Sequence, residues 1–531
     1  MKLLSRPFLV VCVLASSGSL SAACEDSSGA TPGGVTGFDG GFDGSPLSPP
    51  ADASGTDAPG DAPAADAGDA SDASDAATAN DVYVDPVNGL DTNTGTEASP
   101  FKTINKAAAV VPAGSTAWLL DGAYNATNQG GAAALALPEG ATVSAKHGGL
   151  AVIEGLPITA GGMANAIAGI VLDKGTTLTA NNGVAAAPTL TVKAVEFKSE
   201  ASTPSTLAIS GNTKVTLTQS NFTGVLPSGG LVTVAGAAEL VIVGATFDGL
   251  GGGVEGFGYQ LIGALGTSKL TLDGVTMKNF GAAAIGVSGS SSVAPVVVVL
   301  KNGTLLDTMG TADNCASGAS VILAQNVDLT VDASEIKNAK TAGICVRNGV
   351  ASHVRVTLKN GAKLTNDVNG VRSEPGTASE MTLVVNGATF TSNISAGVYF
   401  EGSGSFDMTA ATMTGNGSGI VSFASLPLSI KARSSTFASN TAFGVSVTTV
   451  GTLTLDLGTA ASLGQNTFTA NTTTGLRLDV PAAQTHTAVG NTWNASVQAA
   501  DGAGHYTVGT DVVGPASGAN YVLVNASTLT L

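Results

Sequence analysis

A bulky apolar residue returns along most of this chain at intervals of 23 to 31 residues, at Phe197, Phe222, Phe247, Met277, Leu306, Ile336, Leu364, Phe390, Met413, Phe437, Phe468 and Trp493. The unit Glu380 to Gly402, EMTLVVNGATFTSNISAGVYFEG, shows what lies between two such marks. Met381, Leu383 and Val385 alternate with Thr382 and Val384, the period of two that sends alternate side chains to opposite faces of a strand. Ala388 and Phe390 follow as a short apolar pair. Beyond a turn, Val398 and Phe400 point inward again while Tyr399 and Glu401 point outward. One such unit cannot bury its apolar side alone, so it needs copies above and below, and the recurrence supplies them.

The turns repeat as well. An Asn stands two residues past the mark at Asn279, Asn338 and Asn366, and three past it at Asn393, Asn416, Asn440 and Asn471. A Gly and an aliphatic residue then open the next strand, as in Gly343-Ile344, Gly370-Val371, Gly397-Val398, Gly419-Ile420, Gly444-Val445 and Gly475-Leu476. Stacked Asn side chains can bond the backbone of the next coil, and Gly is expected here for a turn with positive φ.

Composition agrees with a β solenoid: of 531 residues, 43% are hydrophobic, 11% are charged and 70 are Gly. Length would otherwise suggest several domains, but repeats add length without adding separate cores. The formal charge of −17 and only six Arg argue against a nucleic-acid partner, because no basic stripe exists to neutralise phosphates. Most of that charge lies in one segment, since Glu25 to Asn80 holds 11 acidic residues and no Lys or Arg. Made of Asp, Ala, Gly, Ser and Pro, it buries too little to fold and reads as a self-repelling tether.

Before it, Lys2 and Arg6 precede an apolar run from Pro7 to Leu14 and a small-residue stretch ending Ser21-Ala22-Ala23-Cys24. This is a secretory leader rather than a membrane span. The chain is therefore divided into a leader over 1–23, a tether over 24–80 and a β solenoid over 81–531, of which 81–125 form the cap and first coil. The run LSAAC resembles a bacterial lipobox, although its Leu20 stands four residues before the Cys instead of three. That resemblance implies acylation of Cys24 and a membrane contact through the lipid. A general signal peptidase cutting before Cys24 is the alternative and gives a secreted protein.

The folded part opens with YVDPVNGLDTNTGTEASPFKTINKAAAVV. Ser99 is expected to cap a short helix with Pro100 at its first position and Phe101, Ile104 and Ala108 on one face, covering the solenoid's apolar end. The order Tyr83-Val84, the turn through Asp91, Asn93 and Gly95, then Pro100-Phe101-Lys102-Thr103-Ile104 and Gly122-Ala123-Tyr124 resembles a domain of unknown function that opens many bacterial right-handed parallel β-helix proteins. The repeats resemble the pectate-lyase-like superfamily. Together these imply an all-β fold, a single-stranded right-handed parallel β-helix of about a dozen or more coils with an N-terminal capping helix.

That resemblance also implies enzymes, because polysaccharide lyases and glycoside hydrolases share the architecture, but function must be argued from a site. Of the motifs carried by the hydrolases that cut polygalacturonate, only His147-Gly148 is present, without carboxylate neighbours in sequence. His353, His486 and His505 are isolated and read as surface residues.

Aligning coils on their turn Gly gives one column of Cys345, Arg372, Tyr399, Val421, Ser446 and Arg477 and another of Arg347, Glu374, Glu401, Phe423, Thr448 and Asp479, both outward. With coils about 4.8 Å apart, Arg347, Glu374 and Glu401 form a ladder beside Arg372 and Tyr399. This patch is either a surface ion-pair ladder of little worth or a grip for a sugar chain, with Tyr399 stacking on a ring. If a carboxylate acts chemically, Glu374 or Glu401 is the candidate and Arg372 the cation.

Asp85, Asp91, Asn93 and Glu97 offer calcium-type oxygen ligands, against the plainer reading of a turn bonded to its own backbone; otherwise no cofactor is called for. Cys315 and Cys345 each lie nine residues past a mark, so they are expected to be equivalent on adjacent coils and to form a disulfide. Outward Thr271, Thr330, Thr357, Thr409 and Thr454 suggest an ice-binding column, but Val384 and Lys431 interrupt it and ordinary β preference explains it better. The expected role is a non-catalytic surface module contacting polysaccharide, adhesive or spacing, with a carbohydrate-active enzyme as the alternative. The sequence sets no oligomeric state.

Overall fold

Alternation of apolar and polar residues over Glu380–Asn386 makes the longest strand of its coil, and Thr389–Thr391 and Ala396–Phe400 make the other two. In the computed structural model this triangle recurs along the chain. The structure describes residues 80–493, except 162–163, 183–187, 201–203, 205, 225–229, 250–259, 282, 310–314, 348–352, 375–379, 425–426, 450 and 480–483, together with the strands Val512–Val513 and Tyr521–Val524. The leader, Cys24, the tether to residue 79 and His505 lie outside the described residues.

Each strand pairs in parallel with its counterpart one coil away, so the coils stack into three sheets of 17, 15 and 15 strands. Sheet 1 contains Glu380–Asn386, sheet 2 Thr389–Thr391 and sheet 3 Ala396–Phe400. The chain is thus an all-β parallel solenoid with almost no helix. The repeat marks are one column of sheet 2: Phe390 pairs with Leu364 and Met413, Phe437 with Met413 and Phe468, and Phe468 with Trp493. Upstream of Phe197 the column continues through Leu172, Ile153 and Tyr124. Inward rings stack along it, Phe197 on Phe222 at 4.3 Å, Phe222 on Phe247 at 4.4 Å and Phe468 on Trp493 at 4.4 Å. Offset ring stacks of this kind add to the stability gained from burial.

The turn residues divide their work differently from the expectation. Positive φ falls on non-Gly residues near the end of the sheet 2 strand or just past it, Asn279 at 61°, Asn338 at 60°, Asn366 at 57° and Ser392 at 58°. The Gly that opens each sheet 3 strand is needed for space instead. A Cβ on Gly397 would stand 2.8 Å from the Gly419 carbonyl oxygen, and one on Gly370 2.6 Å from that of Gly397.

The two sets of Asn also separate. Those two past the mark are exposed, and two of them donate to the coil before, Asn279 to Asp248 at 3.0 Å and Asn338 to Asp307. Those three past it form a buried ladder. Asn416 Oδ1 accepts the Asn393 backbone N–H at 3.0 Å and its side-chain amide at 2.8 Å, and Asn440 and Asn471 repeat the arrangement.

Three other expectations change. The helix is Ile104–Ala108, capped by Thr103 and not by Ser99, with Ile104 and Ala107 buried. Phe101 instead exchanges backbone bonds with Tyr83 and Asp85, which holds Ser99 to Phe101 out of the helix. The outward Thr column of sheet 1 breaks, because Val384 pairs with Asp407 while Thr409 pairs with Asn386 and Thr454 with Ser429. Cys345 pairs with Ile322, so Cys315 is not its equivalent. Cys315 opens the short helix Cys315–Gly318, which packs on the strands Ala319–Leu323 and Ala342–Val346, and the two cysteines are disulfide-bonded across that contact. Cys345 thus lies on the outer face, as the register implies, but is buried beneath that helix.

Candidate functional site

The outer face of sheet 3 brings the patch residues together in the register read from the turn Gly. Cys345, Arg372, Tyr399, Val421, Ser446 and Arg477 are successive partners across coils. Arg347 follows the strand Ala342–Val346 and its Nε donates to Glu374 Oε2 at 3.2 Å, one coil on. The Arg372 guanidinium stands 5.6 Å from the centre of the Tyr399 ring, within reach of a cation–π attraction. Tyr399 donates its hydroxyl to Glu401 at 2.7 Å, and its ring centre lies 5.9 Å from that of Phe423. Burial and the Glu401 carboxylate push the Tyr399 phenol up to about 12, so it keeps its proton. Phe423 is exposed, and the Arg372 Nε is buried without a hydrogen-bond partner among the described residues. The result is a small aromatic shelf with a cation above one ring and charged pairs beside it. The sequence named every member except Phe423's pairing with Tyr399, which appears only once coil register places both rings on one edge.

The four acidic-turn residues spend their oxygens locally. Asp85 accepts from the backbone of Val87 at 2.8 Å and Asn88 at 2.9 Å, and Asp91 accepts from Thr103 N and Oγ1, both at 2.9 Å. Asn93 donates to the Pro100 carbonyl at 2.8 Å, and Glu97 faces Lys146 at 3.7 Å. They brace the turn and cap the helix, and the acidic groups close enough to share an ion among the described residues do not include them. Cys315, Cys345 and Glu374 do lie that close, but the disulfide occupies both sulfurs.

The histidines correct two expectations. His147 has a carboxylate partner after all, Asp121 one coil before it at 2.9 Å, which sequence adjacency could not reveal. His486 is fully buried rather than on the surface, its two ring nitrogens lack partners among the described residues, and burial lowers its pKa. His353 is exposed and faces Glu380 at 3.8 Å.

A carboxyl group that burial raises well above its usual range is Asp367, inside the turn between sheets 2 and 3. Its Oδ1 accepts the Ala339 N–H at 2.7 Å while its own N–H donates to Asn393, so it ends the Asn ladder. Sequence pattern also missed an open groove of about 420 Å³ on sheet 1, lined by Thr382, Ser405, Ser429 and Thr454 with Glu380 at its edge. Those hydroxyls form a column that only the strand register aligns.

No curated protein matches the chain. Solved structures similar to it include the periplasmic alginate epimerase AlgG, with 8% identity over 77% of this chain and 85% of that one and a TM-score of 0.34. Pectate lyase Pel9A shares 14% over 59% and 77%, with a TM-score of 0.33. A mannuronic acid specific polysaccharide family 6 lyase from human gut microbiota shares 10% over 76% and 77%, with a TM-score of 0.28. Likeness this slight carries nothing about activity. The stretch 87–236 matches the family described as "Protein of unknown function (DUF1565)", on a chain that is a parallel β-helix.

Proposed function

We propose that this chain is an exported surface module, anchored by a lipid at Cys24 and held away from the membrane by the acidic tether, which contacts polysaccharide through the outer face of sheet 3. The observation that carries the reading is the aromatic shelf. Tyr399, fixed by its bond to Glu401 and lying beneath Arg372, stands beside the exposed Phe423. Flat rings offer area to the apolar faces of sugars at little entropic cost, and Arg372 and the flanking carboxylates suit hydroxyl or uronate groups. Binding is favoured over catalysis because each carboxylate is already engaged, Glu374 by Arg347 and Glu401 by Tyr399.

A panel of polyuronides and neutral glycans tests this when retention and new chain ends are followed together. Retention without turnover is expected, falling at least tenfold in Tyr399→Ala and Phe423→Ala with melting temperature unchanged. Unaltered retention in both variants would sink the proposal. Loss in Ser405→Trp alone would move the contact to the sheet 1 groove. The enzymatic alternative rests on Glu374 and Glu401 as the paired carboxylates that glycoside hydrolysis requires, with Arg372 as the cation. Turnover that disappears in Glu374→Gln or Arg372→Ala would establish it.

A further inference from the structure

Sheet 2 presents a second unusual surface, unrelated to the sheet 3 patch. In the strands Thr389–Thr391, Thr412–Thr414, Thr436–Ala438 and Thr467–Thr469, and at Thr492, every outward position is Thr except Ala438, and successive strands are in register. The inward residue of each is the apolar mark, and the stack Phe437, Phe468 and Trp493, with ring planes within 8° and 11° of parallel, backs the face with flat rings. The corner after sheet 2 is turned by short residues with positive φ, Ser392, Gly415, Ser439 and Ala470, whereas the corner before it includes the exposed Gln465.

The array therefore has two regular spacings, roughly 4.8 Å between coils and roughly 6.7 Å between alternate residues of a strand. β-Branched Thr has a stiff χ1, so hydroxyls and methyls repeat with few alternative poses, although the Thr414 hydroxyl donates to the Ala438 carbonyl of the next coil at 3.0 Å. β Preference does not account for it. The same sheet, on inward residues that are apolar throughout, presents Lys278, Asp307, Glu335, Lys337 and Lys363 in the coils before, with Thr beside them only singly, as at Thr276 and Thr365. A surface selected only for strand formation would not change character at one coil.

We infer that this face binds ice. A flat, uncharged grid of hydroxyls and methyls organises neighbouring water into a lattice without the strong, disordering hydration of charges, and its two repeats lie close to those of ice surfaces. Rings, charges and a groove, which a polysaccharide would require, are missing from the described part of this face.

The test is inhibition of ice recrystallisation, together with uptake of the fluorescently labelled chain into a slowly grown ice hemisphere. The unmodified chain is expected to enter the ice and restrain grain growth. Thr412→Tyr or Thr436→Tyr, with a bulky ring in the grid, should lower the effect at least tenfold with melting temperature unchanged. Thr467→Lys provides a second variant if either fails to fold. Ala438→Thr, which fills the one gap, should raise the effect, a gain that no structural role predicts. Tyr399→Ala on sheet 3 should leave it intact, so failure of the polysaccharide reading is distinguishable from failure of this one. Exclusion of the unmodified chain from ice, or full activity in the Tyr and Lys variants, overturns the inference.

Discussion

The coils before Asp367 and those after it are built on the same inward column but are held differently at the turn after sheet 2. Upstream, the corners are fastened from outside. Asp248 receives Lys278 at 3.1 Å and Asn279 at 3.0 Å, Asp273 receives Lys301 at 3.1 Å and Asn302 at 2.8 Å, and Asp332 receives Lys359 at 3.2 Å and Asn360 at 2.7 Å. A disulfide adds a staple at Cys315 and Cys345. Downstream, the turns are fastened from inside by the ladder of Asn393, Asn416, Asn440 and Asn471, and the outer face of sheet 2 becomes uncharged Thr. The difference is confined to sheet 2 and the turn after it, because sheet 1 keeps outward ion pairs downstream, Lys431 with Asp407 at 3.5 Å and Arg433 with Asp456 at 2.7 Å.

The largest test strikes the downstream interior. Phe468→Ala removes a ring held 4.9 Å from Phe437 and 4.4 Å from Trp493. Its cost is about 3–5 kcal/mol, and hydrogen exchange should report the loss first over 436–476. Loss first appearing upstream would break the comparison. Next, Cys315→Ala with Cys345→Ala should lower stability by about 3 kcal/mol under the chain-entropy model. The loss should stay near 315–346, because solenoid repeats couple mainly to their neighbours. Equal loss of protection over 389–469 would mean that the coils unfold as one unit.

A smaller change sits at the junction. Burial raises the Asp367 carboxyl above its unfolded value. Its contribution is therefore intact below the unfolded value of 3.8 and fades as pH rises through the raised folded value. Asp367→Asn extends the ladder by one amide and should stabilise the chain at pH 7 by roughly 1–2 kcal/mol. Thermal melts from pH 4 to 8 should be flatter for the variant; an unchanged slope would mean that Asp367 is not the group responsible.

The smallest effect is acid loosening of the upstream corners. Asp248, Asp273 and Asp332 are held below their usual range, first by the Asn amides and then by the Lys partners against a small burial cost. Their stabilisation is present above the unfolded value of 3.8 and lost as pH falls through the lowered values. Exposed pairs of this kind contribute about 0.5 kcal/mol or less each. Exchange between pH 5 and 2 should quicken over 246–307 more than over 389–400, a span clear of the Arg433–Asp456 pair.

Much of this was legible beforehand. The marks are one column, the turn Gly predicts the register of Arg372 and Tyr399, and the Asn set three past the mark stacks. Other features needed partners that no local pattern names. The dipeptides Lys278-Asn279, Lys301-Asn302, Lys337-Asn338 and Lys359-Asn360 are plain in the sequence, yet their meaning depends on an Asp one coil away. Cys315 looked equivalent to Cys345 by counting from the marks, but an intervening helix shifts it onto the outer face.

By itself the sequence determined the architecture, because period-two apolar alternation and a recurring mark leave a stacked coil as the way to bury every unit. Tertiary structure decided which outward residues share a face. Coil lengths vary from 23 to 31 residues, so equal counting slips by one or two positions, and a slip of that size moves a side chain to another column. The hydroxyl column of sheet 1, the contact of Tyr399 with Phe423 and the carboxylate beside His147 exist only once backbone pairing has fixed that register, whereas the Thr grid flanks the marks themselves.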